Sequence, residues 1–126
     1  MLGRKGLIAH ALAQPGAWLD EPWDQGYPVV KAGPRIFLFC GSLDADPPAV
    51  SMRCQPDDVE VWRSRYPGSI GRAPYMGTKP WNQVRLDGSV PDDDLLSLLE
   101  DSYDSVVARL AKRDRPPGRG PGGSRP

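Results

Sequence analysis

The chain has 126 residues, 16 of them Lys or Arg and 16 Asp or Glu, for a formal net charge of zero. That length suits one domain with a real core and is too short for two comfortable ones, and no apolar run approaches the roughly 18 residues that would span a bilayer. The zero net charge hides an asymmetry: residues 112–126 hold Lys112, Arg113, Arg115, Arg119 and Arg125 against Asp114 alone, so a basic tail follows a mildly acidic body.

Taken in order, residues 6–14 (GLIAHALAQ) read as a short helix that Pro15-Gly16 stops. His10, the only histidine, sits in its middle and reads as a surface or capping residue, since no catalytic partners are visible for it. Residues 18–23 (WLDEPW) read as a short strand with a turn. Residues 27–32 (YPVVKA) and 35–40 (RIFLFC) form an expected hairpin about Gly33-Pro34, because β-branched and aromatic residues flank a two-residue turn signal. The second of these is apolar on both faces, as a central strand would be. A polar loop over 43–48 follows, and residues 49–54 (AVSMRC) alternate, with Val50, Met52 and Cys54 sharing one face.

Pro56 is placed to open a second helix, with Asp57 and Asp58 in its favourable first turn and Val59, Trp62 and Tyr66 at helical spacing. Residues 70–77 are expected to pair with 81–86 through a turn at Thr78-Lys79-Pro80. Ser89 and Asp92 have capping-box spacing. Beyond them Leu96, Leu99, Tyr103, Val106 and Leu110 recur at 3, 4, 3 and 4 residues, the pattern of an amphipathic helix lying on a sheet. The run PPGRGPGGSRP that ends the chain has nothing to bury, so a domain over 1–111 and a disordered basic tail over 112–126 are expected.

Catalytic chemistry finds little support. Cys40 and Cys54 lie in apolar runs without CxxC spacing, as buried thiols of a reducing compartment do. With the lack of a full signal-peptide pattern this places the chain in the cytoplasm, off the membrane. There is no G-x-S-x-G, H-E-x-x-H, P-loop or G-x-G-x-x-G. The carboxylate runs at Asp57-Asp58 and Asp92 to Asp94 are explained by helix N-termini. No enzyme activity, metal or cofactor is expected.

Sorting charge by element is more informative. Segments 27–41, 49–54 and 69–86 contain Lys31, Arg35, Arg53, Arg72, Lys79 and Arg85 and no acid. If Val84 and Leu86 face the core, strand parity puts Lys79, Trp81, Gln83 and Arg85 on the other face. A sheet covered by helices on one side would then present cations on the other, with Trp81 and either Tyr75 or Tyr27 among them. Cations among aromatics suit nucleic acid, whose phosphates need neutralising and whose unstacked bases need a flat apolar surface. A sheet face kept soluble by Lys and Arg accounts for the same pattern, as does burial of Trp81 in the core or at a sheet edge.

The motifs ALAQPGAWLDEPW, YPVVKAGPRIFLF, VSMRC, a helix ending RYPG, KPWNQVRLDGSVPDDDL and SYDSVVARL, in that order, resemble the MmcQ/YjbR family over about residues 7–111. The resemblance implies an α+β fold: two layers, an antiparallel sheet packed on one face by helices, in the order α-β(3-4)-α-β(2)-α. It implies a shape like frataxin (CyaY-like) proteins and secretion chaperones, and the "double wing" DNA-binding description. Lys31, Lys79, Trp81 and Asn82 match family motif positions, and Thr78-Lys79-Pro80-Trp81-Asn82 stands where the family often has Asn-Lys-x-His-Trp-Asn. The expected function is a monomeric, non-enzymatic module that binds DNA through Lys31, Arg53, Arg72, Lys79, Trp81, Asn82 and Arg85. The alternatives are a small-molecule (drug or metabolite) binder with Trp81, Tyr75 and Trp18 stacking a flat ligand, or a chaperone-like protein-interaction module.

Overall fold

The computed structural model describes residues 2–22, 26–42, 44–74 and 76–116. Helix α1 (Gly3–Leu12) leads into four strands, β1 (Ala17–Asp20), β2 (Val29–Ala32), β3 (Arg35–Phe39) and β4 (Ala49–Arg53). A 3-10 turn at Pro56–Asp58 opens α2 (Val59–Arg65), then come β5 (Ile70–Arg72), β6 (Trp81–Arg85) and α3 (Asp92–Val107). All six strands form one antiparallel sheet in the order β1-β2-β3-β4-β6-β5. The fold is therefore α+β, and the element order follows the one expected from sequence.

The core lies between one face of the sheet and the helices. Leu38, Met52, Val50 and Val84 come from paired positions on β3, β4 and β6 and are at most 1 % exposed. Helix α3 covers them with Leu95, Leu98, Leu99, Tyr103, Val106 and Val107. This stripe is set one residue from the expected one at its start: Leu95 is buried and Leu96 only half-buried. Helix α1 adds Leu7 and Ala11, one turn apart. The Tyr103 hydroxyl donates to the Pro15 carbonyl at 2.5 Å, which ties the turn after α1 to the C-terminal half of α3.

Two local expectations are corrected. Ser89 does not cap α3; Pro91 occupies the N-cap position, with no side-chain cap. Ser89 Oγ instead donates to Asp87 Oδ1 at 2.5 Å and bonds Ser69 Oγ at 2.7 Å, so it closes the turn after β6. Asp92, the other half of the expected box, accepts the Leu2 N–H at 2.7 Å.

Strand β3 also carries an irregularity that sequence alternation hides. Val30 pairs with Leu38 but Lys31 pairs with Ile36, so β3 holds one residue more than β2 over that step, a bulge at Phe37. Phe37 and Leu38 are consequently both buried, and Phe37 meets Tyr103 edge-on with ring centroids 5.2 Å apart. Ile36 is turned to the opposite face.

The described chain continues past residue 111. A 3-10 turn spans Lys112–Asp114, Pro116 is buried, and a Cβ at Gly16 would lie 2.9 Å from the Pro116 ring. The remainder of the expected tail, 117–126, lies outside the described residues, as do Trp23 and Tyr75.

Candidate functional site

The sheet face away from the helices is hollowed into a cleft of about 530 Å³. Its floor is apolar. Phe39 on β3 and Trp81 on β6 lie on this face because their strands put them opposite Leu38 and Asn82, and their rings meet edge-on at 5.2 Å. Trp81 therefore keeps the parity expected of it but is only 7 % exposed, so it forms the base of a cleft and offers no open stacking platform. Ile36, re-aimed by the bulge, and Met76 complete the apolar part.

The walls are cationic. Arg35 enters from the start of β3, Arg53 from the end of β4, Lys79 from the turn before β6 and Arg109 from the turn after α3. Helix α3 reaches this face because β3 and β4 part near one end: only Leu38–Met52 and Phe39–Ser51 pair in register. Ser102 fills the gap. Its Oγ donates to the Phe37 carbonyl at 2.5 Å and accepts the Arg53 N–H at 2.9 Å, standing in for the ladder bond the two backbones do not make. One turn further on, Ser105 Oγ accepts from Arg53 Nε at 2.8 Å. That bond orients the guanidinium and leaves its two terminal nitrogens free for another acceptor.

The electrostatics of this wall are one-sided. Burial, and then repulsion from Arg109 and Arg35, holds Arg53 below the usual guanidinium range. Among the described residues no carboxylate lines the cleft, and Arg35, Lys79 and Arg109 make no ion pair. Lys31, at the rim, differs. Its Nζ lies 2.8 Å from Asp20 Oδ2 and 5.1 Å from the centre of the Trp18 ring, and this lysine holds the Asp20 carboxyl below its usual range.

Of the seven residues expected at the site, Lys31, Arg53, Lys79 and Trp81 thus converge. The other three do not. Asn82 is 1 % exposed; it donates to the Val59 carbonyl at 3.2 Å and accepts from Arg63 Nε at 2.7 Å, so it anchors α2 from the helix side of the sheet. Arg85 is exposed and lies 3.6 Å from Asp87. Arg72 lines a second depression of about 500 Å³ with Arg63 and Glu60, across the Lys79-Pro80 ridge from the first. The expected site left out Arg35, counted only among the cations of the strands, and sequence reading missed Arg109, Ser102 and Ser105. Arg109 was legible only as a cation near a helix C-terminus, and the serines looked like ordinary polar positions of an amphipathic helix.

The thiols carry no visible chemistry. Cys40 and Cys54 are free and buried, and burial pushes both up to about 11. Among the described residues no three His, Cys, Asp or Glu side chains are grouped as a metal site would need, and no helix is long and apolar enough to cross a membrane.

An antiparallel α+β domain with helices on one face and a basic cleft on the other defines the class. The YjbR family profile matches residues 12–105, and the chain belongs to that family. It is similar to the uncharacterised protein YjbR of Escherichia coli K12, 27 % identical over 109 residues that make up 86 % of this chain and 91 % of the other. It is also similar to YbdF of Escherichia coli O157:H7, 30 % identical over 105 residues, 83 % of this chain and 84 % of the other. Among solved structures, Deinococcus radiodurans DR2400, a DUF419 domain, superposes with a TM-score of 0.80 at 28 % identity, covering 87 % of this chain and 83 % of that one. A Pseudomonas syringae protein shares the fold at 22 % identity, with a TM-score of 0.63 over 79 % of this chain and 95 % of that one.

Proposed function

We propose that this chain is a non-enzymatic binding module that holds single-stranded DNA, one or two nucleotides deep, in the basic cleft. The observation that carries the reading is the convergence of Arg35, Arg53, Lys79 and Arg109 from four separate elements onto one hollow with an aromatic floor and no carboxylate among the described residues. Cations kept only for solubility would be spread over the surface and paired, as Arg85 is with Asp87. A hollow of this volume admits a strand that can splay its bases and excludes the convex surface of a duplex. Phosphate contacts supply most of the affinity, so sequence preference is weak.

The test is fluorescence anisotropy with labelled single- and double-stranded DNA at two salt concentrations. The proteins are the full chain and a chain ending at Pro116, which removes Arg119 and Arg125 while keeping the packed turn. Single strands are expected to bind both forms and to weaken with salt, with a logarithmic slope of about −0.7 per phosphate contacted. Arg35→Ala with Lys79→Ala should lower affinity about tenfold or more and flatten that slope, while Arg85→Ala changes neither. Binding that vanishes with residues 117–126 would reject the cleft. A second reading has one observation in its favour: about 530 Å³ is also the size of a small-molecule pocket. A thermal shift produced by mononucleotides or aromatic acids, without oligonucleotide binding, would establish it instead.

A further inference from the structure

Within that reading, on which this inference rests, the cleft has a feature that a phosphodiester backbone does not require. Three of its cations are guanidiniums, Arg35, Arg53 and Arg109, brought close enough that the other two act on Arg53. Each internal phosphodiester carries a single charge. Three guanidiniums lining one cleft, with no carboxylate among the described lining residues, would stay under-compensated beside it. A phosphomonoester carries about −1.5 to −2 charges at neutral pH and presents three acceptor oxygens, matching three planar donors that bind such groups in bidentate fashion.

The orientation of Arg53 points the same way. Its Nε is engaged by Ser105 Oγ and its backbone N–H by Ser102 Oγ, so the terminal nitrogens are set in place before any ligand arrives. An arginine held in this way loses little side-chain freedom on binding. Lys79 stands apart on the turn before β6, on the ridge shared with the second depression, where a chain leaving the cleft would pass.

We infer that the Arg35–Arg53–Arg109 cluster is a phosphomonoester subsite, so that the cleft takes the phosphorylated end of a single strand, with the terminal nucleotide over the Phe39–Trp81 floor. The shared chemistry is a terminal phosphate on a nucleotide, whether at the end of an oligonucleotide or free as a nucleoside monophosphate.

The experiment compares one 3′-labelled oligonucleotide with a 5′-phosphate or a 5′-hydroxyl against the full chain by anisotropy. Unlabelled nucleoside monophosphate and nucleoside serve as competitors, and each is also titrated directly into the full chain by calorimetry. The phosphorylated strand is expected to bind at least about tenfold more tightly, the effect of one or more charge-assisted hydrogen bonds. Arg109→Gln and Arg35→Gln, both at exposed positions whose side chains make no hydrogen bond or ion pair among the described residues, should each shrink that preference while the circular dichroism spectrum is unchanged. Equal affinity for the two ends would overturn the subsite and leave the DNA reading standing. No binding of either strand, with the nucleoside monophosphate still bound and nucleoside not, would uphold the subsite and overturn the DNA reading. No binding of any of these would overturn both.

Discussion

Ser102 and Ser105 show how a residue with no chemistry of its own can decide a site. Ser102 bridges two backbones that would otherwise each leave a polar group unpaired. Ser102→Ala should therefore destabilise the protein by about 1–3 kcal/mol in urea unfolding, the cost of a buried donor and acceptor left without partners. Ser105→Ala removes only the tether of Arg53 Nε. It should cost under about 1 kcal/mol of stability, yet weaken single-strand binding severalfold, because the guanidinium then has to be ordered by the ligand. A change that lowered stability and affinity in proportion would show that Ser105 acts only through the fold. Neither serine was legible as part of a site, since a hydroxyl on a helix reads the same whether it faces water or a parted sheet.

At the level of elements, most of the architecture was readable. The hairpin about Gly33-Pro34, the alternating β4 and the β5–β6 pairing appear where turn residues and periodicity put them, because each is specified by contacts near in sequence. What failed depended on distant partners. The bulge at Phe37 turns that ring onto Tyr103, a partner far along the chain, and no local pattern announces it. Asn82 entered the expected site as a match to a family motif position, whereas α2, which buries no residue completely, needs it as an anchor. Asn82→Ala should leave the Val59 carbonyl and Arg63 without their partner. Amide exchange over residues 59–66 is expected to speed up about tenfold or more, with β2 and β3 unaffected. Uniform acceleration throughout the chain would show instead that Asn82 supports the whole core.

For the molecule as a whole, zero net charge and a one-sided cleft mean that attraction of a polyanion is local. At physiological ionic strength it fades within about 8 Å, so association should respond to salt mainly through contacts made in the cleft and only slightly through long-range steering. Stability has its own pH signature. Cys40 and Cys54 are raised from near 9 to about 11. Between those values the unfolded chain ionises its thiols while the folded chain keeps them protonated, so the folded state binds more protons and stability falls as pH rises. The melting temperature is expected to decline from about pH 9 to 11, less steeply in Cys40→Ala or Cys54→Ala measured against its own neutral-pH value. Iodoacetamide at pH 8 should modify neither thiol in the native protein and both in urea, read by mass spectrometry.

The bulge in β3 makes the ligand face sensitive to counting. Removing one residue at Phe37 would restore strict alternation and rotate the start of the strand by half a turn. Ile36 would swing under α3, and the wall that carries Arg35 would be re-dealt. In this domain a single-codon deletion is thus a change of surface as much as of length, and relatives with one residue fewer in this strand would carry a different set of side chains to whatever they hold.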